Sequence, residues 1–397
     1  FFQPEDGIRD PLWSRGLGDV YKRQLLVPDV MGDDVKQNAS ANRAKEWAEY
    51  NGSETDFIPE DIWREFYEAI NIANSVINSE FDAGADLTAD LNTLKGQAYG
   101  IRGLSYFMLC NFYAQPYSFS AGAGHAGVPI VLEFDFQNKP ARSTVAEVYA
   151  QVISDLNQAV TLITTSQKNA GYFSKAAAEA LLSRVYLYME DWSNAEAKAT
   201  SVINNYGYSL VSRDLYPTQF IDGLSSEAIF EMIYNTTDNT GSNHIGGMYK
   251  VTGYGDYLPS NDWYALMEDG DIRRTMITYD SNLIGDFAKA PLGPARVDKW
   301  PSEGPLNGTD NISVIIDQKD KIIFNSDLIN IEEYEKLKLS FSDNTKEEFD
   351  YIVAADGVYS RTKEILFKKE GLPKYLNSIA LRAVSYTHLT LPTKRIV

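Results

Sequence analysis

The chain has 397 residues, 44% of them hydrophobic, enough for a packed core spread over two or three domains. Its 55 acidic against 36 basic side chains give a net charge of −19, which repels phosphate backbones and anionic lipid surfaces and argues against nucleic-acid or membrane-surface binding. No apolar run reaches the roughly 18 residues of a membrane span. The single cysteine, Cys110, precludes an intrachain disulfide and sits in an apolar helical run, as a small buried hydrophobe would. Tyr (25) and Trp (6) together outnumber Phe (18), an excess that fits a core and also hints at binding surfaces, because each ring joins an apolar face to a polar handle.

In chain order, residues 1–24 show no helical or strand period, and neither do residues 384–397. Both segments resemble translated sequencing-adapter sequence and are set aside as non-native. Phe1 to Asp6 has neither the basic start nor the apolar run of a signal peptide.

From there the periods are helical. Trp63, Tyr67, Ile70, Asn74 and Ile77 recur at steps of three and four and predict an amphipathic helix with one apolar face. A second helix is expected from about Asp90 to Tyr113. Thr144 and Glu147 have capping-box spacing and open a third, with Val148, Val152, Leu156, Ala159 and Ile163 on one side. A fourth should run from Lys175 to Glu190, and a second capping box at Ser193/Glu196 should lead a fifth to Asn205. Within that last pair, Leu182, Ser183, Tyr186, Ala195 and Ala199 fall at tetratricopeptide spacing, where small residues let two helices approach; Gly103 and Tyr106 repeat the small-x-x-Tyr element. The expected fold is mostly α, with tetratricopeptide-like helical hairpins and long loops, followed by a small α/β fragment.

The wording of this region is more specific than its periods. Leu26-Val27-Pro28-Asp29 is followed by Trp63-x-x-x-Tyr67 with Ala73-Asn74, then Gly96-Gln97-Ala98-Tyr99-x-x-Arg102-Gly103-x-x-Tyr106-Phe107. Gly127-Val128-Pro129-Ile130-Val131, Arg142-Ser143-Thr144-Val145, Arg184-Val185-Tyr186-Leu187-Tyr188 and Glu227-Ala228-Ile229-Phe230-Glu231 complete the series. In that order, residues 25–315 closely resemble the SusD/RagB family, truncated at both ends. The resemblance implies a glycan-binding, non-catalytic module. Its implied partner is a SusC-like TonB-dependent transporter, and its implied location is the outer-membrane surface, as a lipoprotein. The family's leader and lipidated cysteine are missing from this sequence.

Near Val314 to Asp317 the composition shifts towards Lys and Glu and the period to short strands. Leu337, Leu339 and Phe341 alternate with polar residues before a turn at Ser342-Asp343-Asn344. Tyr351 to Ala355 reads as a buried strand delivering Asp356-Gly357 to a helix beginning near Ser360. Asp350 to Arg361 resembles the second flavin motif of aromatic-hydroxylase-type FAD monooxygenases, in which Asp356 and Gly357 would approach the cofactor's ribityl-diphosphate. The dinucleotide-binding unit is absent, so no flavin binding, and no other cofactor, is expected. Residues 316–383 are therefore expected to be a monooxygenase-like fragment joined to residues 25–315. An FAD monooxygenase fragment, or a helical-repeat scaffold that binds protein alone, are the alternative readings of function.

Gly122-x-Gly124-x-x-Gly127 spells a dinucleotide fingerprint, but no strand precedes it, and Val128-Pro129 follows where a helix is required. His125, His244 and His388 share no metal-ligand spacing, and Asp269-Gly270-Asp271 reads as a turn rather than a calcium loop. Sugars present flat C–H faces and rings of hydroxyls, so their sites need aromatic platforms beside amides or carboxylates. Two loop segments have that chemistry, Trp47-Tyr50-Asn51 and Tyr254-Tyr257-Asn261-Trp263, with Asp33 and Asp34 as family-like additions. Packing of Trp47 and Trp263 onto the scaffold explains those two equally well.

Overall fold

The computed structural model describes residues 29–32, 34–37, 45–52, 57–81, 84, 87–133, 137, 139–222, 225–234, 245–249, 254–260, 263–264, 267, 270–279, 295–297, 312–316, 328–333, 337–341 and 346–349. Five helices of 14 residues or more carry the body: α1 (Phe57–Ile77), α2 (Thr88–Tyr113), α3 (Val145–Leu162), α4 (Lys175–Tyr188) and α5 (Trp192–Asn205). Each pairs mainly with its neighbour in sequence, as helical hairpins require.

α1 turns to the core a face that overlaps the one its period suggests. Ile70 and Asn74 are buried as expected, together with Ile62, Phe66, Ala69 and Ala73, while Trp63, Tyr67 and Ile77 lie half-buried on the flank. Rings with a polar tip settle where the tip can reach a partner. The Tyr67 hydroxyl donates to the Pro129 carbonyl at 2.7 Å, and the Trp63 ring lies tilted against Tyr67 and edge-on to Tyr113, with centroids 5.0 and 4.9 Å away.

α2 is the centre of the fold. Every residue from Ile101 to Cys110 is buried, because α1 covers one side and α3 the other. Gly96, Gly100 and Gly103 recur at helical spacing and set how closely the neighbours come. A Cβ added to Gly96 would lie 2.7 Å from Ile163 Cγ1, and one on Gly100 would lie 2.2 Å from the Phe173 ring. No larger residue fits there without moving the packing. The Cys110 thiol is enclosed in this layer and burial pushes its pKa up to about 12, which leaves it inert as a nucleophile.

One buried cation ties three helices together. Arg102 on α2 donates from Nε and Nη2 to the two Asp155 oxygens on α3, at 2.8 and 2.7 Å, and from Nη1 to Asn74 Oδ1 on α1 at 2.8 Å. Burial alone would lower the Arg102 pKa, but the Asp155 carboxylate outweighs it and holds the guanidinium charged. Gln151 donates to Asp155 at 2.8 Å, and the Arg102 guanidinium lies 5.1 Å from the Tyr99 ring. Asn74 then passes the contact on, donating to the Val131 carbonyl at 2.9 Å. Tyr106 brackets the same residue, donating to the Val131 carbonyl at 2.7 Å and accepting from its N–H at 2.6 Å. Residues 127–132 are thus strapped across α1 and α2 by side chains. This strap is the extended run that follows the Gly122–Gly127 pseudo-fingerprint. Gly127 itself donates to the Ser143 carbonyl at 2.7 Å, so it serves the strap and makes no phosphate loop.

α3 opens as expected. Thr144 Oγ1 accepts from the Glu147 N–H at 3.2 Å while the Glu147 carboxylate accepts from the Thr144 N–H at 2.8 Å. Its expected stripe, Val148 to Ile163, is buried. α4 ends at Tyr188, and the turn to α5 is tight: Asp191 N–H donates to the Tyr186 carbonyl at 2.9 Å, and Glu190 takes the left-handed φ of 62°. α5 therefore starts at Trp192, and its cap is Asp191, which accepts from the Asn194 N–H at 3.3 Å. The expected cap, Ser193, falls inside the first turn instead. The small-residue contact between the two helices is present, with Ser183 Oγ donating to the Ala195 carbonyl at 2.8 Å and Ala195 buried.

The strands form small antiparallel pairs. β1 (Val35–Gln37) pairs with β3 (Tyr257–Pro259), β2 (Ala228–Met232) with β6 (Ile312–Ile316), and β4 (Ile277–Tyr279) with β5 (Ala295–Val297). β7 (Leu328–Glu333), β8 (Leu337–Phe341) and β9 (Lys346–Phe349) make a meander. β8 is the strand expected at Leu337–Phe341. The expected boundary after Ile315 falls inside β6, whose Ile316 pairs with Ala228. Tyr351–Ala355, Asp356 and Gly357, like His244 and His388, lie outside the described residues.

Replacing Arg102 by Met leaves Asp155 buried without its cation, and stability should fall by about 3–5 kcal/mol. The double variant Arg102→Met/Asp155→Leu should recover much of that loss. Urea unfolding of the full chain measures both.

The capping box sets a pH dependence. Hydrogen bonds from the Thr144 N–H and hydroxyl hold the exposed Glu147 carboxyl below its usual 4.5. A lowered native pKa stabilises the fold above 4.5 and loses that contribution as pH falls towards the native value. The advantage of the wild type over Glu147→Gln in urea midpoint should therefore be constant near neutrality and disappear in acid.

Candidate functional site

Two regions far apart in sequence, one around residues 29–52 and one around 245–263, meet at β1 and β3. Val35, Lys36 and Gln37 pair with Pro259, Leu258 and Tyr257, and Ser260 N–H donates to the Asp34 carbonyl at 2.8 Å. A one-turn helix, Ile245–Tyr249, packs beside β3 with the Tyr249 and Tyr257 rings 6.2 Å apart. Its Tyr249 hydroxyl donates to Asp29 Oδ2 at 2.9 Å, joining residues 220 positions apart. Lys45–Ala48, a second one-turn helix, lies against β1 and leads into the corner at Tyr50.

That corner is held from several directions. Asn51 N–H donates to the Glu46 carbonyl at 2.6 Å, and Tyr50 takes a left-handed φ of 55°, an uncommon backbone state for a bulky residue. The Tyr50 hydroxyl donates to the Met31 carbonyl at 2.5 Å. With its polar end engaged, Tyr50 is still 58% exposed as a residue, and Asn51 beside it is exposed as well. Trp47 is half-buried, and its ring lies so close to Gly52 that a Cβ there would sit 2.8 Å from it. Its Nε1 is buried with no hydrogen-bond acceptor among the described residues.

The expected aromatic platforms separate into two kinds. Tyr50 and Asn51 present free surface, with Trp47 behind them. Tyr257 (0% exposed) and Trp263 (9%) do not, and the expectation that they offer ring faces to a ligand is corrected. Tyr257 is enclosed because β3 is buried along its whole length, and Trp263 follows directly, its N–H donating to Ser260 Oγ at 3.0 Å. Tyr254 is half-buried, and its N–H donates to the Gly247 carbonyl at 2.7 Å. Asp33 and Asn261 lie outside the described residues, whereas Asp34 serves through its backbone. Sequence reasoning missed the Asp29–Tyr249 tie entirely. Nothing local signals a hydrogen bond across 220 residues.

Other candidates have structural partners. His125 is hydrogen-bonded to Ser120 Oγ at 2.7 Å and to the Gln115 carbonyl at 3.1 Å, inside its own loop. Asp271 accepts from Arg273, whose guanidinium holds the carboxyl below its usual range. Among the described residues, no cluster of His, Cys, Asp or Glu is placed to hold a metal ion, and no helix is long and apolar enough to cross a membrane.

The model of a SusD-like family, described as starch-binding and associating with the outer membrane, matches residues 14–187, starting ahead of the boundary expected at Leu25. A candidate sugar-binding protein from Bacteroides vulgatus is 31% identical, with a TM-score of 0.65 over 76% of this chain and 70% of its own. A SusD superfamily protein from Bacteroides thetaiotaomicron superposes with a TM-score of 0.67 at 29% identity, over 76% of this chain and 72% of its own. The chain belongs to the SusD-like family. A SusD-like protein P2 from Formosa agariphila is 29% identical over 201 residues, 49% of this chain. The matched stretch spans 36% of that relative's length, so the chain covers only about a third of it. The family match takes in the Tyr50 corner and α1 to α4, and it stops before the 245–263 segment that completes the site of this SusD-like chain.

Tyr50 and Tyr257 should differ sharply on truncation. Tyr257→Ala should cost about 3–5 kcal/mol, as for other buried aromatics. Tyr50→Ala should cost about 1 kcal/mol, the worth of its single hydrogen bond. Urea midpoints of the two variants check the assignment.

Proposed function

We propose that this chain binds glycans without catalysis, as a surface component that passes them to a SusC-like TonB-dependent transporter in the outer membrane. Family membership supports the ligand class, and one observation carries the site: Tyr50 is an exposed residue whose hydroxyl is engaged by the Met31 carbonyl. A ring pinned at its polar end presents its face, which suits the C–H face of a pyranose, and the exposed Asn51 amide beside it supplies a donor and an acceptor for sugar hydroxyls. Pinning also lowers the entropy lost on binding. The transporter and the outer-membrane location rest on the family alone.

Isothermal titration of the full chain against soluble starch, β-glucan, xylan and mannan tests the reading. At least one should bind, and Tyr50→Ala should weaken that binding by about 1–3 kcal/mol, the scale of an aromatic hot spot. Absence of binding across the panel would sink the proposal.

A further inference from the structure

The Tyr50 corner has no core of its own. Among the described residues, Lys45–Ala48 contains no buried residue, and Tyr50 and Asn51 are exposed. Trp47 and Ala48 pack half-buried against the main core, and the exposed tip at Tyr50 is tied by its hydroxyl to the segment that runs from Asp29 to β1. Tyr50 bonds the carbonyl of Met31, two residues beyond Asp29. Asp29 begins a short turn, closed by the Gly32 N–H donating to its carbonyl at 3.2 Å, so Met31 is fixed relative to the Asp29 side chain. The Asp29 side chain is buried, as is Val30 beside it, and it receives the hydroxyl of fully enclosed Tyr249. Tyr249 in turn rests beside Tyr257 on β3, the strand paired with β1.

We propose that the Tyr249–Asp29 hydrogen bond is a positioning device for the ligand corner, transmitted through Met31 to Tyr50. The inference rests on the glycan-binding reading for its effect on affinity, but its effect on the corner stands apart from any ligand. A buried side-chain bond is well suited to this task. Geometry at Asp29 is set where water cannot compete, and the exposed ring receives that geometry through one short relay. Tyr249 touches no ligand in this scheme and is a positioning residue.

The test uses the full chain with Tyr249→Phe, Tyr50→Phe and their double variant, plus Tyr113→Phe as a control that deletes a hydroxyl bond outside the Asp29–Met31–Tyr50 relay, to the Pro59 carbonyl of α1 at 2.5 Å. Two readouts are taken: amide hydrogen exchange over residues 45–52, and affinity for whichever panel glycan the wild type binds. Losing one such bond should speed exchange at 45–52 and weaken affinity about fivefold each in Tyr249→Phe. Tyr50→Phe should do the same, and the double variant should match either single, because both cut one relay. Tyr113→Phe should leave exchange at 45–52 unchanged. Wild-type exchange at 45–52 in Tyr249→Phe, or additive effects in the double variant, would overturn the proposal. If Tyr249→Phe does not fold, Asp29→Leu and Tyr50→Phe make the same cycle with the same two outcomes. A wild type that binds no glycan defeats the functional reading and leaves the exchange arm to decide the relay.

Discussion

The buried Arg102 guanidinium is the constraint on which the helical body depends. It spends two donors on Asp155 of α3 and one on Asn74 of α1, so three helices meet at one planar cation. A buried ion pair adds little net stability over an apolar replacement, since desolvation offsets most of the attraction. Its contribution is geometric. A guanidinium satisfies its acceptors only in its own plane, so the relative height of α1, α2 and α3 is fixed in a way that leucines sliding past one another could not fix. Asn74 extends the constraint to Val131 and so to the strap over residues 127–132.

Around this centre, the small residues of α2 decide distance while the cation decides register. Gly96, Gly100 and Gly103 remove the side chains that would hold α3 and Phe173 away. The strap then covers α1 and α2 using side-chain donors on both, with Tyr67, Asn78 and Tyr106 binding its carbonyls. The result is a firm platform with few polar groups left unpaired, and the loops that carry the site are hung from it.

The site follows a different logic. Its rings are few, and what distinguishes them is whether a polar end has been anchored and a face left free. Tyr257 and Trp263 have the composition of sugar platforms and are core. Tyr50 has an unfavourable backbone conformation and an engaged hydroxyl, and it is exposed. Strain of that kind persists only where neighbouring contacts hold it, and here they are the turn back to Glu46 and the bond to Met31.

Much of the helical body was legible in the residues. All five long helices, the Thr144/Glu147 capping box and the α3 stripe follow from periods and caps confined to a few turns, because those interactions are local in sequence. Local rules failed where two local solutions compete: Asp191 caps α5 in place of Ser193 because the α4–α5 turn leaves no room for a later start. They held only in part on α1, where Ile70 and Asn74 are buried as expected but Trp63 and Tyr67 sit at the rim, Tyr67 reaching a strap 62 residues away. The candidate site was legible only as chemistry. Composition and loop position named seven residues, the family resemblance added Asp33 and Asp34, and pairing of β1 with β3 across more than 200 residues decided which of the described ones face solvent. By itself the sequence determined the residue types, the helical repeat and the family. Only the tertiary structure decided that Tyr257 is enclosed and Tyr50 open, because burial depends on which distant strand arrives beside a residue, and no local pattern encodes that arrival.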